Sequence, residues 1–237
     1  MTVSAIEFLI KRLKKAKKAD LIVLCTTEME EDELLCQISS KCGIDFFRGS
    51  VSDKLMRWLG AAEKFNVEFF VTADGDDLFC DPELIDSAFN QYENSRPDMI
   101  EAQDLPCGAF TFGIKTGALK KVCEIKASDD TEMMWGYFKE ANIFKIEKLQ
   151  DIEPIYKRPE IRMTLDYPDD FKFFKAVING LGGPEKEFSL KDIIIFLDNN
   201  PDILNINQHL RKEFEENQKR RTKIVFKEGW NNAQSLR

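Results

Sequence analysis

Val67-Glu68-Phe69-Phe70-Val71-Thr72-Ala73-Asp74-Gly75-Asp76-Asp77 is an apolar run of strand length that stops abruptly in three carboxylates around a glycine. An apolar stretch of this length, rich in aromatic and β-branched residues, reads as a strand buried on both faces, here Val67 to Thr72. Working outward, Leu21 to Cys25 and Ile44 to Phe47 are two more short apolar runs, and each is separated from the next by a helical pattern. Ile6, Leu9, Ile10, Leu13 and Ala16 space a helix over Ala5 to Ala19, with Lys11, Arg12, Lys14, Lys15, Lys17 and Lys18 mostly on its solvated side. Leu34, Leu35 and Ile38 mark a second helix that closes at Gly43, a third is predicted from about Ser52 to Phe65, and Pro82 opens a fourth reaching about Asn94. Strands alternating with helices predict an α/β fold with a mostly parallel sheet and right-handed crossovers.

Downstream the alternation loosens. Asp98 to Leu149 mixes short strands with helices near Thr116 to Ile125 and Thr131 to Ala141, as an insertion or sheet extension would. Ile161 to Leu165 reads as a strand running into Asp166, followed by a helix from Pro168 to Gly180. After the Gly182-Gly183-Pro184 break a helical stretch runs to roughly Lys219, and the tail from Trp230 is expected to be loosely held. The division expected is an α/β domain over 1–182 and a helical C-terminal extension with its tail over 183–237.

Composition removes several functions. With 43% hydrophobic residues and 19 Phe against 32% charged, the 237 residues can bury a sizeable core. The 34 Lys+Arg and 42 Asp+Glu leave a net charge of −8, which argues against nucleic acid as a partner. No apolar run approaches the roughly 18–20 residues of a membrane helix, and no secretory leader is recognisable, so a soluble, cytoplasmic protein without a membrane partner is expected. Six cysteines form no CxxC pair, and the single histidine, His209, can complete neither a His-rich zinc set nor a Ser-His-Asp triad. Carboxylates and a metal ion remain as the chemistry.

In a parallel α/β sheet ligands collect at the carboxyl ends of strands. Two such ends are acidic: Asp74-Gly75-Asp76-Asp77, and Asp166-Tyr167-Pro168-Asp169-Asp170 after Arg162-Met163-Thr164-Leu165. One or two carboxylates completed by substrate phosphates and water suit Mg²⁺. Taken singly, the first cluster also reads as a turn and the second as a helix cap. Both readings stay open on the residues alone.

The same pieces, in the same order, resemble the cytidylyltransferase family that makes CMP-activated acidic sugars, in particular its spore-coat polysaccharide branch. The blocks are Ile6 to Leu13; Ile22-Val23-Leu24-Cys25-Thr26-Thr27; Arg48-Gly49-Ser50 with Asp53, Leu55 and Arg57; Gly75-Asp76 with Asp81 to Asp86; Arg162-x-Thr164-x-Asp166-x-Pro168-x-Asp170; and Phe188 to Asp192. The resemblance covers residues 5 to about 208. It implies a Rossmann-like, GT-A-like nucleotidyltransferase fold and attack by a sugar hydroxyl on the α-phosphate of CTP, with pyrophosphate leaving. The sugar implied is acidic or amino, destined for a surface polysaccharide. It further implies that Asp76 and Asp166 are the catalytic pair holding Mg²⁺, with Arg48, Asp53, Asp74 and Arg162 as substrate contacts. Arg48-Gly49-Ser50 is equally an ordinary strand-to-helix turn, Arg162 could simply pair with a neighbouring acid, and Asp129 to Tyr137 is either an acceptor wall or a capped helix.

The resemblance starts past the family's first strand and its glycine loop with Arg and Lys, so those parts are expected to be missing here. Thr222-Lys223-Ile224-Val225-Phe226 is one segment that could fill the resulting gap beside Ile22 to Leu24. Two other functions stay open: a GT-A-type glycosyltransferase in which Asp74-Gly75-Asp76 binds a nucleotide-sugar through its metal, and a non-catalytic relative that only binds a sugar nucleotide. Whether the chain forms a homodimer is also open.

Overall fold

Capping residues set where the helices of the computed structural model begin and end; the structure describes residues 3–221 and 223–230. The elements, in chain order, are α1 (Ala5–Leu13), β1 (Val23–Thr27), α2 (Glu33–Cys42), β2 (Asp45–Gly49), α3 (Lys54–Lys64) and β3 (Phe69–Val71). They continue with α4 (Pro82–Ser95), β4 (Met99–Glu101), β5 (Phe112–Lys115), α5 (Thr116–Ile125), α6 (Trp135–Glu140) and β6 (Ile146–Lys148). The chain closes with α7 (Pro168–Gly180), α8 (Leu190–Asn199), α9 (Pro201–Leu204) and α10 (Arg211–Arg221). Ser4 and Glu7 cap α1 reciprocally, and Asp81 with Pro82 at the first helical position starts α4. The first helix stops short of the expected Ala19. The Lys17 and Lys18 amides donate to the Asp86 carboxylate rather than continuing the helical ladder.

The strands form two sheets among the described residues. β1 and β2 pair in parallel, with Val23 opposite Asp45; the other sheet has the order β3-β5-β4-β6, with β5 antiparallel to β3 and β4, and β4 parallel to β6. The continuous parallel run expected over the first three strands is therefore interrupted between β1 and β3. The edges they leave unpaired both line a cavity of about 1970 Å³, walled by Leu9, Ile10, Leu35, Ile38, Ala61 and Phe89 from the surrounding helices. The described residues of the 222–226 segment, 223–226, do not line it. Of its described residues, Val225 accepts from the Ala127 amide and Phe226 packs edge-on against Tyr137, on the side of α5 and α6.

Two buried clusters hold these layers. One gathers Phe8, Phe79, Phe173, Phe174, Ile194 and Leu197, so α7 and α8 share a core with α1 and the residues that follow the acidic turn. The other packs Leu55, Leu59, Met99, Ile114, Leu119 and Phe138 between α3, α5 and the second sheet. Burial of such side chains contributes roughly 1.5–3 kcal/mol each.

Ile161 to Leu165 corrects the sequence reading in detail. It is extended but pairs only through an isolated parallel bridge between Arg162 and Cys107. Gly108 permits that approach: its φ is +87°, and a Cβ there would lie 2.1 Å from the Met163 carbonyl oxygen. The segment then donates the Leu165 amide to the Asp76 carbonyl at 3.0 Å.

Candidate active site

The Leu165 to Asp76 hydrogen bond joins the two acidic chain segments that lie far apart in sequence, so Asp74, Asp76 and Asp166 come to one end of the cavity. Asp74 begins a turn closed by the Asp77 amide on its carbonyl at 3.0 Å. Asp166 is about one-third exposed, with Oδ2 accepting from Arg162 Nη2 at 2.7 Å and from Thr164 Oγ1 at 3.1 Å.

Arg162 anchors this half of the site from below. Its side chain is 2% exposed, and Nε and Nη2 grip the fully buried Asp170 carboxylate at 3.2 and 2.9 Å. Asp170 in turn accepts from the Asp166 and Tyr167 amides, both at 2.9 Å, and from Asn207 Nδ2 at 2.8 Å. The guanidinium is roofed by the Phe214 ring, 4.1 Å from its centroid. Such a bed leaves Asp166 little freedom to turn, while its outer face meets the cavity.

Electrostatics on the other half are unbalanced. Burial first, then the charges of Asp74 and Asp166, push the Asp76 carboxyl up to about 6. Burial together with Asp76 and Asp74 raises Asp77 further above the usual carboxylate range. Carboxylates crowded together and short of cations are the donor set a hard divalent ion relieves. Among the described residues no three His, Cys, Asp or Glu side chains converge as a metal cage. Asp76 and Asp166 are the two carboxylates here that could hold a hard divalent ion such as Mg²⁺, which takes its other oxygens from substrate and water.

The raised Asp76 has a consequence for stability. Its folded-state proton affinity exceeds that of the unfolded chain, so the folded protein binds more protons between about pH 4 and 6 and loses stability as pH rises through that window. Without divalent cations, Asp76→Asn is expected to be more stable than the parent at pH 7, by on the order of 1–3 kcal/mol. The difference should close toward pH 4. Melting curves at the two pH values test this, and equal stability at pH 7 would refute the assignment of strain to Asp76.

The other candidates lie elsewhere. Arg48, in β2, gives its guanidinium to the Thr27 and Met29 carbonyls at 2.9 and 2.8 Å and to Glu33 at 2.9 Å, and it does not border the cavity. Asp53 is buried as the N-cap of α3, where it accepts from the Met56 amide, from Thr131 Oγ1 at 2.9 Å and from the buried Lys126 at 2.5 Å. Its carboxylate is fully engaged in holding the start of α3. The segment at 131–135 is not the capped helix considered for it: α6 starts only at Trp135 without a side-chain cap, Thr131 is tied to Asp53 and the Leu55 amide, and Glu132, Met133 and Trp135 line the cavity.

Sequence reading passed over Lys54. It immediately follows the Asp53 cap, and its Nζ reaches Asp74 at 2.9 Å. A lysine at the first position of a helix, where the macrodipole disfavours cations, was the available signal. His209 pairs with Asp169 at the surface at 3.5 Å and takes no part in the cluster, in keeping with a chemistry that needs no histidine. All six cysteines are unpaired thiols.

Comparison with known proteins places these features in context. A family model described as cytidylyltransferase matches residues 3–197. The uncharacterized protein MJ1063 of Methanocaldococcus jannaschii is 32% identical over 218 residues, covering 88% of this chain and 85% of that protein. The spore coat polysaccharide biosynthesis protein SpsF of Bacillus subtilis is 25% identical over 204 residues, covering 83% of this chain and 84% of its own. A cytidylyltransferase structure from Leptospira borgpetersenii superposes with a TM-score of 0.76 at 25% identity, over 85% of each chain. The fold is also that of a CMP:2-keto-3-deoxy-manno-octonic acid synthetase solved with CTP, at a TM-score of 0.54 and 9% identity over 74% of this chain and 87% of the other.

Proposed function

The chain is a nucleotidyltransferase of the cytidylyltransferase family, and from that premise we propose that it activates an acidic or amino sugar with CTP, releasing pyrophosphate, for a surface polysaccharide. The α/β nucleotidyltransferase fold implied by the sequence blocks is the one observed. The observation that carries the proposal is the meeting of Asp76 and Asp166 at the cavity, their segments joined by the Leu165 to Asp76 hydrogen bond, with the Asp76 carboxyl raised by burial and by its acidic neighbours.

In this reading Asp76 and Asp166 would hold Mg²⁺, which supplies charge neutralisation for the α-phosphate and the departing pyrophosphate. Arg162 and Thr164 fix the Asp166 carboxylate in the orientation it presents. Asp53 acts at a distance, by setting the start of α3, and Asp74 borders the nucleotide phosphates. Catalysis of this kind is alignment and electrostatics, so the residues need to be rigid more than they need to be basic or nucleophilic. The fixed bed beneath Asp166 supplies that rigidity.

SpsF, as its name states, is a spore coat polysaccharide biosynthesis protein, and this supports a glycan pathway here. The synthetase solved with CTP shares the fold, which supports a cytidine nucleotide in this cavity. Among the described residues no helix is long and apolar enough to cross a membrane. The decisive assay measures pyrophosphate from CTP with Mg²⁺ and a panel of acidic and amino sugars, with ATP, GTP and UTP in parallel. Release is expected with CTP and dependent on one sugar class. Sugar transfer from a nucleotide-sugar without pyrophosphate formation would select the glycosyltransferase reading instead.

A further inference from the structure

Lys54 sits where a helix has least use for it. As the first residue of α3 it places a positive side chain at the positive end of the macrodipole, and the cap that the helix requires is already supplied by Asp53. Nor does it escape to water. Its Nζ lies 5.2 Å from the centroid of the Trp58 ring, the side chain is 15% exposed, and the ammonium donates to Asp74 Oδ1 at 2.9 Å with Glu132 Oε1 at 3.9 Å. Burial works against its charge, but Asp74, Glu132 and Asp76 outweigh it and keep the ammonium protonated. Among the described residues it is the one Lys or Arg forming an ion pair with the acidic turn at 74–76.

Resting on the reading of the site as a cytidylyltransferase, we propose that Lys54 is a nucleotide-binding contact that leaves Asp74 to take an anionic phosphate oxygen of the bound nucleotide. The geometry permits the exchange. Asp53 is pinned by Lys126 and Thr131, so the backbone under Lys54 is fixed, while the four-carbon stem above it can turn along the Trp58 face. Asp74 is 39% exposed, so it regains water when the ammonium departs, and the cost of breaking the pair is small. A nucleoside triphosphate carries more negative charge than one divalent ion neutralises, and a second cation close enough to feel the charge of Asp76 offsets part of the rest. Glu132 places the 131–135 wall of the cavity beside the same ammonium.

The test is calorimetry on the full chain with two titrants, Mg-CTP and Mg-pyrophosphate, using the parent, Lys54→Met, Lys54→Gln and Lys54→Arg. Loss of a charge-assisted contact is expected to weaken both titrants by about tenfold or more in Lys54→Met, with most of the affinity regained in Lys54→Arg. Mg²⁺ alone should bind Lys54→Met no more weakly than the parent, because one positive charge has left the neighbourhood of Asp76. In turnover the KM for CTP should rise by a larger factor than kcat falls. If Lys54→Met does not fold, Lys54→Gln, which keeps a polar tip over Trp58, carries the same expectation. Undiminished affinity of the Met or Gln variant for both titrants overturns this inference alone. No binding of either titrant by the parent overturns the cytidylyltransferase reading of the site, and the inference with it. Weakened Mg²⁺ binding in Lys54→Met also overturns it, since that outcome means the lysine supports the metal ligands rather than the phosphate.

Discussion

In Asp76→Asn and in Asp166→Asn, pyrophosphate release from CTP is expected to fall on the order of 1,000-fold, about 4 kcal/mol of transition-state stabilisation. Each substitution keeps the shape of the side chain and removes the negative charge that would fix a divalent ion at the two chain ends. The ends themselves remain joined, because the bond between the Leu165 amide and the Asp76 carbonyl is made by backbone. Folding is therefore preserved, and for Asp76 it is improved at neutral pH. A variant that melts above its parent yet turns over a thousandth as fast has lost chemistry and not structure. Steady-state rates at saturating Mg²⁺ check this; parental turnover in both variants removes the two-carboxylate site from consideration.

Arg162→Met should act in the opposite sense, on the fold first. Asp170 is fully buried and receives two guanidinium bonds, and removing the cation strands its charge in the interior. Breaking such a pair from one side costs about 3–5 kcal/mol, a large share of the stability of an ordinary domain. Urea unfolding should show that loss, and Asp170→Asn introduced on top of Arg162→Met should return part of it by removing the stranded charge. A loss under about 1 kcal/mol in Arg162→Met contradicts the anchoring role drawn here. The sequence offered two readings for Arg162, a phosphate contact or an acid's partner, and the buried pairing with Asp170 and Asp166 supports the second.

What could be read from the chain followed from short-range physics. Pro82 and Gly43 each mark a helix end by backbone geometry, and the observed termini lie where those residues place them. The two acidic segments, 74–77 and 166–170, were likewise visible, but it was the resemblance to the cytidylyltransferase family that singled out Asp76 and Asp166 within them; the fold brings both segments to one cavity. Less was visible wherever a distant partner decides. Asp86 captures the Lys17 and Lys18 amides and cuts the first helix short, a contact across 69 residues that no local pattern announces. The resemblance implies a substrate contact at Asp53, yet its partners Lys126 and Thr131, more than 70 residues away, together with the Met56 amide occupy its carboxylate. Lys54 was hidden for the converse reason: beside a cap it looks like a solvated surface residue, and only tertiary packing turns it over Trp58 toward Asp74.

The interruption between β1 and β3 bears on how the catalytic groups keep their alignment. Lys54 belongs to a helix packed on the β1 and β2 raft, whereas Asp74 and Asp76 leave the end of β3 on the other. Opposing walls of one cleft thus ride on separate platforms, coupled across the divide by interleaved side chains such as Trp58 on Phe70 and not by a shared ladder. Side-chain contacts yield to small forces where backbone ladders do not, so the two walls of this cleft are free to shift against each other by more than the strands within either sheet.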